Sequence, residues 1–360
     1  MTVGMAGKSP THVAAAMGEF LAEDFVRMGS AVMRRCMRID GRRLYLSGAT
    51  GFFGKNLLAL FAELHRRGAR FEVTGLSRDP DRFLAEQRWC AAAQWLDLRR
   101  GDVRQAWPAS GDYQLLVHAA TDTAAAAQSS RLQVFDNIVA GTRHAVALAA
   151  ATGVQRLLLT GSGAQYGTIP AQFADGISES SPIAWDPSAP DSAYGEGKRV
   201  SELLAALHAE QHGFAVVNTR CFAFVGPGLP LDGHFAIGNF IANALARQSI
   251  KLHSTGRSLR SYLYGADLAV WLLLLLLEAP NGSTVNVGSS EVVSIVELAQ
   301  RVRTLLDPML NVATGIVEPA EERRHYVPDT TRARGLGLDA WTDLDSAILR
   351  TAAWYRHAAN

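Results

Sequence analysis

Apolar residues along the first two hundred positions of this chain fall into short unbroken runs that take turns with stretches of helical spacing. Arg43-Leu44-Tyr45-Leu46-Ser47 is such a run, and a glycine cluster closes it; from Lys55 to Arg67, Leu57, Leu58, Leu60 and Phe61 then recur on one helical face. The next run, Phe71-Glu72-Val73-Thr74-Gly75-Leu76, stops at Ser77-Arg78-Asp79-Pro80, where proline ends pairing. A strand before Gly101-Asp102-Val103, the run Leu115 to Ala120, a helix from about Asn137 to Thr152, the run Leu157 to Thr160, a helix from Ser192 to His212 and the run Ala215 to Arg220 continue the alternation. Short buried strands separated by helices predict an α/β fold: a doubly wound parallel sheet with right-handed crossovers.

Outside that stretch the pattern changes. Residues 224–262 are rich in Gly, Pro, His and Arg and read as irregular, and helices at Ile295 to Leu306 and near Leu344 to Tyr355 are separated by loop-like sequence. A smaller C-terminal lobe is expected over 223–360, with some chain returning to the core of 41–222. Residues 1–40 form a helical arm, in which Phe20, Leu21, Phe25, Met28, Val32 and Met33 recur at helical spacing and pack on the body or on a partner subunit. Leu268 to Ala279 holds six consecutive leucines, but a dozen residues cannot cross a hydrocarbon core of about 30 Å, so a buried helix is predicted.

Composition narrows the partners. The 360 residues are 48% hydrophobic and carry a formal net charge of +1, which leaves no charge excess to recruit nucleic acid or an anionic membrane. Glu19, Glu23 and Asp24 interrupt any apolar leader, so no targeting segment is expected. Cys36, Cys90 and Cys221 are odd in number and lack CxxC spacing; neither a disulfide framework nor a zinc site is expected, and a reducing cytoplasm fits best.

Two motifs carry chemistry. Gly48-Ala49-Thr50-Gly51-Phe52-Phe53-Gly54 lies between a strand and a helix, where Gly48 permits a positive φ, Gly51 lets a pyrophosphate approach the backbone, and Gly54 lets helix and strand pack closely. A dinucleotide, NAD or NADP, is the expected ligand. After the second strand, Arg78 beside Ser77 favours the 2′-phosphate of NADP; the alternative is a solvated Arg78 with Asp79 on the ribose diol. Asp102 and Val103 are placed for the adenine, or form an ordinary turn. The second motif is Tyr194-Gly195-Glu196-Gly197-Lys198, with Ser162 upstream at a strand end. Tyr194 and Lys198, four apart on a helix, share a face. An ammonium beside the phenol, helped by an oxidised nicotinamide, favours the phenolate and brings its pKa, ordinarily about 10, towards working range. Ser162 can donate to a substrate oxygen as charge develops there.

Glycine turn, then a strand-end serine, then Tyr and Lys on the next helix is an order that resembles the extended short-chain dehydrogenase/reductases of the nucleotide-sugar epimerase/dehydratase type, over about Arg43 to Tyr355. His118-Ala119-Ala120, Asn137 with Gly141-Thr142, Tyr166-Gly167 four residues after Ser162, Gly226-Pro227, Arg260 to Asp267 and Asn286-Val287-Gly288 support it. The resemblance implies a Rossmann-type cofactor domain, with further cofactor contacts at Ala119, Ala120, Thr121 and Asn137, and a lobe binding a nucleoside diphosphate sugar. It implies that Tyr194 takes the C4 hydroxyl proton while hydride passes to the nicotinamide. It places Arg260 at the substrate pyrophosphate, His234 and Asn239 at the nucleotide, Ser162, Gly163 and Ala164 at the sugar, and Arg323 and Arg324 as a second phosphate clamp or a solvated loop. A homodimer through the helices near Asn137 to Thr152 and Ser192 to His212 is implied as well.

Departures from the family pattern select among reactions. Relatives that dehydrate carry an Asp-Glu pair directly after the Ser/Thr, as acid and base, and relatives that decarboxylate a uronic acid carry the glutamate; Gly163 and Ala164 stand there. Ala223 replaces the usual asparagine before the Gly-Pro turn. The expectation is an NAD(P)-dependent epimerase-type enzyme, with an NADPH-dependent 4-ketoreductase as the alternative, and a dehydratase, a decarboxylase or a non-catalytic NAD(P)-sensing protein as more distant ones. Glu196 is a local acid or base, or a helix-surface carboxylate.

Overall fold

The computed structural model describes residues 16–359, apart from 108–109, 122–129, 185, 232, 234, 253 and 316–324. Its first strands are β1 (Arg43–Ser47), β2 (Glu72–Ser77), β3 (Leu96–Arg100), β4 (Leu115–His118), β5 (Arg156–Thr160) and β6 (Ala215–Cys221). Then come the two-residue strands β7 (Phe224–Val225), β8 (Ile250–Lys251), β9 (Leu259–Arg260) and β10 (Leu263–Tyr264), followed by β11 (Ser283–Val287), β12 (Val293–Ser294), β13 (Val312–Ala313) and β14 (His325–Tyr326). The helices are α1 (Ala16–Arg27), α2 (Ser30–Cys36), α3 (Phe52–Arg66), α4 (Pro80–Glu86), α5 (Arg88–Ala91), α6 (Arg131–Ala151), α7 (Ala193–His212), α8 (Ala236–Leu245), α9 (Gly265–Glu278), α10 (Ile295–Leu306), α11 (Thr331–Gly335) and α12 (Leu344–Ala359).

Seven strands form one sheet in the order β11-β6-β5-β4-β1-β2-β3, and every pairing in it is parallel. Strands covered on both faces need apolar residues throughout, which is why β1, β4 and β5 read as continuous runs. Alternation sorts them: Leu44 and Leu46 join the core under α3 and α9, while Tyr45 joins Leu116, Leu157 and Leu159 under α6 and α7. The order reverses between β1 and β4, and the carboxyl ends of strands at such a point are where open α/β sheets bind ligands.

The leucine run is buried from Leu268 to Leu276 in α9, a helix enclosed by the sheet, α3 and the arm. Arg156, at the start of β5, donates to the carbonyls of Leu276 and Ala279 and so serves the unpaired C-terminal groups of α9. The arm is two helices, broken at Gly29 with φ +90°, and it packs on the body through Met17, Leu21 and Phe25. Buried Asp24 accepts from Tyr264 Oη (3.0 Å) and Arg350 Nη2 (2.9 Å), tying α1 to β10 and α12.

Two predicted elements need correction. Residues 224–262 are not wholly irregular: Ala236–Leu245 is helical, its apolar face set by Ile237, Phe240, Ile241 and Ala244. The helix expected from Asn137 begins six residues earlier, at Arg131, because Ser130 and Gln133 form a capping box. Among the described residues no helix is long and apolar enough to cross a membrane.

Candidate active site

The glycine turn fills the gap between β1 and α3. Gly48 has φ +75°, and a Cβ there would lie 2.8 Å from the backbone of Ala119 and Ala120 at the end of β4; at Gly54 it would lie 2.3 Å from the carbonyl oxygens of Gly48 and Ala49. Packing alone demands these two glycines. Gly51 differs: it is exposed, and a Cβ would meet nothing nearer than Gly48 O at 3.5 Å. It is also the N-cap of α3, with no side chain capping the first turn. An open helix N-terminus with unpaired N–H groups and no Cβ in front of it fits a dinucleotide pyrophosphate. Thr50 is half-buried beside it, and Phe52 and Phe53 pack against the main core, Phe53 edge-on to Phe224 at 5.0 Å.

At the end of β2, buried Ser77 accepts from the Asp79 N–H (3.2 Å), and Asp79 Oδ1 caps α4 by accepting from the Arg82 N–H (3.3 Å). Arg100 donates to the Arg78 carbonyl (3.0 Å) and stands 3.5 Å from Asp79. Asp102 is gripped by Arg104 Nε (2.9 Å) and Nη2 (2.6 Å), which holds its carboxyl below the usual range. Val103 lies against Gly141 of α6. Both carboxylates at this end are thus engaged by arginines of the chain itself.

The strand ends beside the turn carry the proton-handling groups. Lys198 is buried on α7, and its Nζ donates to Thr121 Oγ1 (2.6 Å) and to the Thr160 carbonyl (2.7 Å), so one ammonium joins the ends of β4 and β5. Burial brings it down to about 8. His118, bonded to Ser47 Oγ (2.7 Å), is pushed down to about 3 by burial and by the charge of Lys198, and is neutral. Ala119 and Ala120 donate to the carbonyl and hydroxyl of Ser47 (3.2 and 3.4 Å), and Asn137 is half-buried on α6.

Ser162 is buried at the head of a short 3₁₀ turn, Gly163–Tyr166; its Oγ accepts from the Ala164 N–H (3.1 Å), and its own N–H is held by Gln165 Oε1 (2.8 Å). Tyr194 is half-buried in the first turn of α7, where the Ser162 hydroxyl acts on its phenol. Burial pushes the Tyr194 phenol up to about 12, the Ser162 hydroxyl acts the other way, and the Lys198 ammonium donates to Thr121 and Thr160. Cys221 lies at the same strand ends, its thiol 3.4 Å from Thr219 Oγ1 and pushed up to about 11 by burial. Glu196 pairs with Arg199 along α7 (3.7 Å), the surface alternative for that residue.

On the substrate side, Gly163 is pressed against Phe222: a Cβ would lie 2.9 Å from its ring. Ala164 is half-buried next to it. Arg260, on β9, places its guanidinium over the Tyr326 ring at 5.5 Å. Tyr326 Oη in turn lies 3.4 Å from Ser162 Oγ. Sequence reasoning missed Tyr326, which has no motif of its own and becomes visible only through the β9–β14 pairing that sets it beside Arg260. Asn239 is half-buried on α8 and is not among the groups that meet at Ser162. His234, Arg323 and Arg324 lie outside the described residues.

A model of the NAD dependent epimerase/dehydratase family matches residues 44–288, and the chain belongs to that family. UDP-glucuronic acid decarboxylase 5 of Arabidopsis thaliana is 26% identical over 297 residues, covering 81% of this chain and 82% of that protein. UDP-glucose 4-epimerase of Thermotoga maritima superposes with a TM-score of 0.73 at 16% identity, covering 88% of this chain and 100% of that one. The dTDP-glucose 4,6-dehydratase of Bacillus anthracis, solved with NAD, gives 0.70 at 17% identity over 88% and 97% of the two chains. At these identities the two structures speak for the fold, a Rossmann-type α/β architecture.

Proposed function

We propose that the chain oxidises and re-reduces the C4 hydroxyl of a nucleoside diphosphate sugar, as an epimerase-type enzyme. The residues of the turn from Gly48 to Gly54 would hold a nicotinamide dinucleotide, which supplies the hydride acceptor and donor. Tyr194 takes the hydroxyl proton and later returns it; Ser162 donates to the same oxygen; Lys198 anchors the strand ends that position both and offers its ammonium to the nicotinamide ribose. Arg260 faces the substrate pyrophosphate. The observation that carries the choice of reaction is Gly163: with the Phe222 ring 2.9 Å from where a Cβ would stand, no acidic side chain fits the first place of a dehydratase pair. Ala164 supplies no carboxyl at the second, which weighs against decarboxylation even though curated relatives of the chain are named for it.

Proton NMR of the purified protein incubated with NAD⁺ and, in turn, UDP-glucose, UDP-N-acetylglucosamine and UDP-glucuronic acid tests this reading. The expected product is a C4 epimer that keeps all its carbons; conversion of UDP-glucuronic acid to a UDP-pentose would replace the reading with decarboxylation. A second reading, reduction of a 4-keto sugar by exchangeable NADPH, draws support from Arg78 and Arg100 lying together while Asp79 is occupied as a helix cap. Mass spectrometry of the purified protein separates the two: retained NAD⁺ favours the epimerase, and a site that fills only with added NADPH favours the reductase.

The same reading includes a homodimer. Leu132 on α6 and Leu203 and Leu207 on α7 are 69%, 59% and 53% exposed, apolar side chains on the two helices of the kind that a second copy covers. Size-exclusion chromatography at micromolar concentration should give a dimer, and a monomer there would remove this part.

A further inference from the structure

We propose that Lys55, the residue just after the glycine turn, supplies the positive charge that clamps the cofactor pyrophosphate. This rests on the reading of the turn as a dinucleotide site and adds a charge that the turn itself lacks. A helix N-terminus offers the equivalent of about half a positive charge, against two negative ones on a pyrophosphate, and no residue from Gly48 to Gly54 has a charged side chain.

Lys55 stands four residues after Gly51, to whose carbonyl it donates its N–H (2.9 Å), so the two share a face of α3. A helical side chain leans towards the N-terminus and covers the turn before its own, which here is the open turn headed by the exposed Gly51. The stem is held in that place: its Cδ lies 3.5 Å from where a Cβ on Gly228 would stand, with Met17 Cε of the arm at the same distance. Gly228 has φ +83° and belongs to the loop after β7, whose Phe224 meets Phe53 of the first turn of α3 edge-on.

A cation near the start of a helix works against the dipole, and half-burial adds to the cost. Burial pulls the Lys55 ammonium below the usual lysine range. Among the described residues it has no hydrogen bond or ion pair to offset this, and Glu86, the carboxylate whose charge acts on it, is itself bonded to Arg82 Nε (2.8 Å). A charge kept at such a cost, on a stem fixed over an anion-binding helix end, fits a ligand that brings negative charge. The pyrophosphate does so in NAD and NADP alike.

Calorimetry of the wild type, Lys55→Met and Lys55→Arg tests this without any sugar. Lys55→Met keeps the stem and removes the charge, so it should weaken ADP-ribose, NAD⁺ and NADP⁺ by the same factor, about tenfold. Adenosine, which has no phosphate, should bind as in the wild type. Lys55→Arg should stay within about threefold for all of them, since it keeps the charge. The thermal midpoint of the cofactor-free protein should hold or rise in Lys55→Met, because an unpartnered cation leaves a helix N-terminus. Unchanged ADP-ribose affinity in Lys55→Met overturns the proposal. So does a loss confined to NADP⁺, which puts the ammonium on the 2′-phosphate, and so does a lowered midpoint with adenosine weakened as well, which makes Lys55 a packing residue. Failure of the underlying reading looks different: the wild type then binds neither dinucleotide nor ADP-ribose, and the proposal falls with it.

Discussion

Between β1 and α3 the chain prepares a ligand site from backbone, whereas around Ser162 it prepares one from side chains. Seven consecutive residues make the first, and its two packing glycines touch only carbonyls and amides of the turn and of the neighbouring β4 end. The second gathers Ser162 after β5, Tyr194 and Lys198 from α7, the Cys221 carbonyl at the end of β6, and Tyr326 from β14. A backbone site tolerates almost any side chain except where a Cβ would collide, and a side-chain site depends on each hydroxyl and its proton. Substitutions should therefore separate stability from chemistry along this divide.

The largest effect belongs to the side-chain site. Tyr194→Phe should lower kcat by roughly a thousandfold while NAD⁺ binding by calorimetry stays near wild type, because the phenol's oxygen is lost and the turn is untouched. Next is Gly54→Ala, whose methyl would stand 2.3 Å from two carbonyl oxygens. It should cost about 3 kcal/mol, seen in denaturant unfolding, and it harms cofactor binding only as a consequence. Gly51→Ala should invert that result. The nearest atom is 3.5 Å away, so unfolding should shift by less than about 0.5 kcal/mol, while NAD⁺ affinity falls roughly tenfold. Equal stability losses at Gly51 and Gly54 would dissolve the distinction between a packing glycine and a ligand-facing one.

The motif order was legible because it is local. A positive-φ glycine, a strand end and an i, i+4 pair on a helix are properties of neighbouring residues, and the alternation of runs and helical spacing set the sheet. Tyr326 was not legible, since its place beside Ser162 arises from β14 pairing with β9 and from the Phe222 ring, contacts with residues 66 and 104 positions earlier in the sequence. The partners of Lys198 were not legible for a related reason: spacing puts it on the same helical face as Tyr194, but Thr121 and the Thr160 carbonyl come from the ends of β4 and β5. Helix α8 escaped because glycine, proline and histidine flank a short apolar segment.

The smallest effect is a pH dependence. Lys198 ordinarily titrates at 10.5 and is brought down to about 8. Between those values the unfolded chain holds a proton that the folded one has released, so this group's contribution to stability rises with pH across that window. Cofactor affinity should move the other way, weakening roughly fivefold from about pH 7 to about pH 9.5 as the ammonium is lost. Lys198→Met should bind more weakly at the lower pH and show no such slope; a slope kept in the variant would move its origin elsewhere.

The most direct measurement follows reduced nicotinamide by its near-ultraviolet absorbance when NAD⁺-loaded protein is mixed with the nucleotide sugar it converts. Hydride transfer coupled to Tyr194 predicts that the signal appears in the wild type and falls by orders of magnitude in Tyr194→Phe. Reduced nicotinamide forming at the wild-type rate in that variant would contradict it.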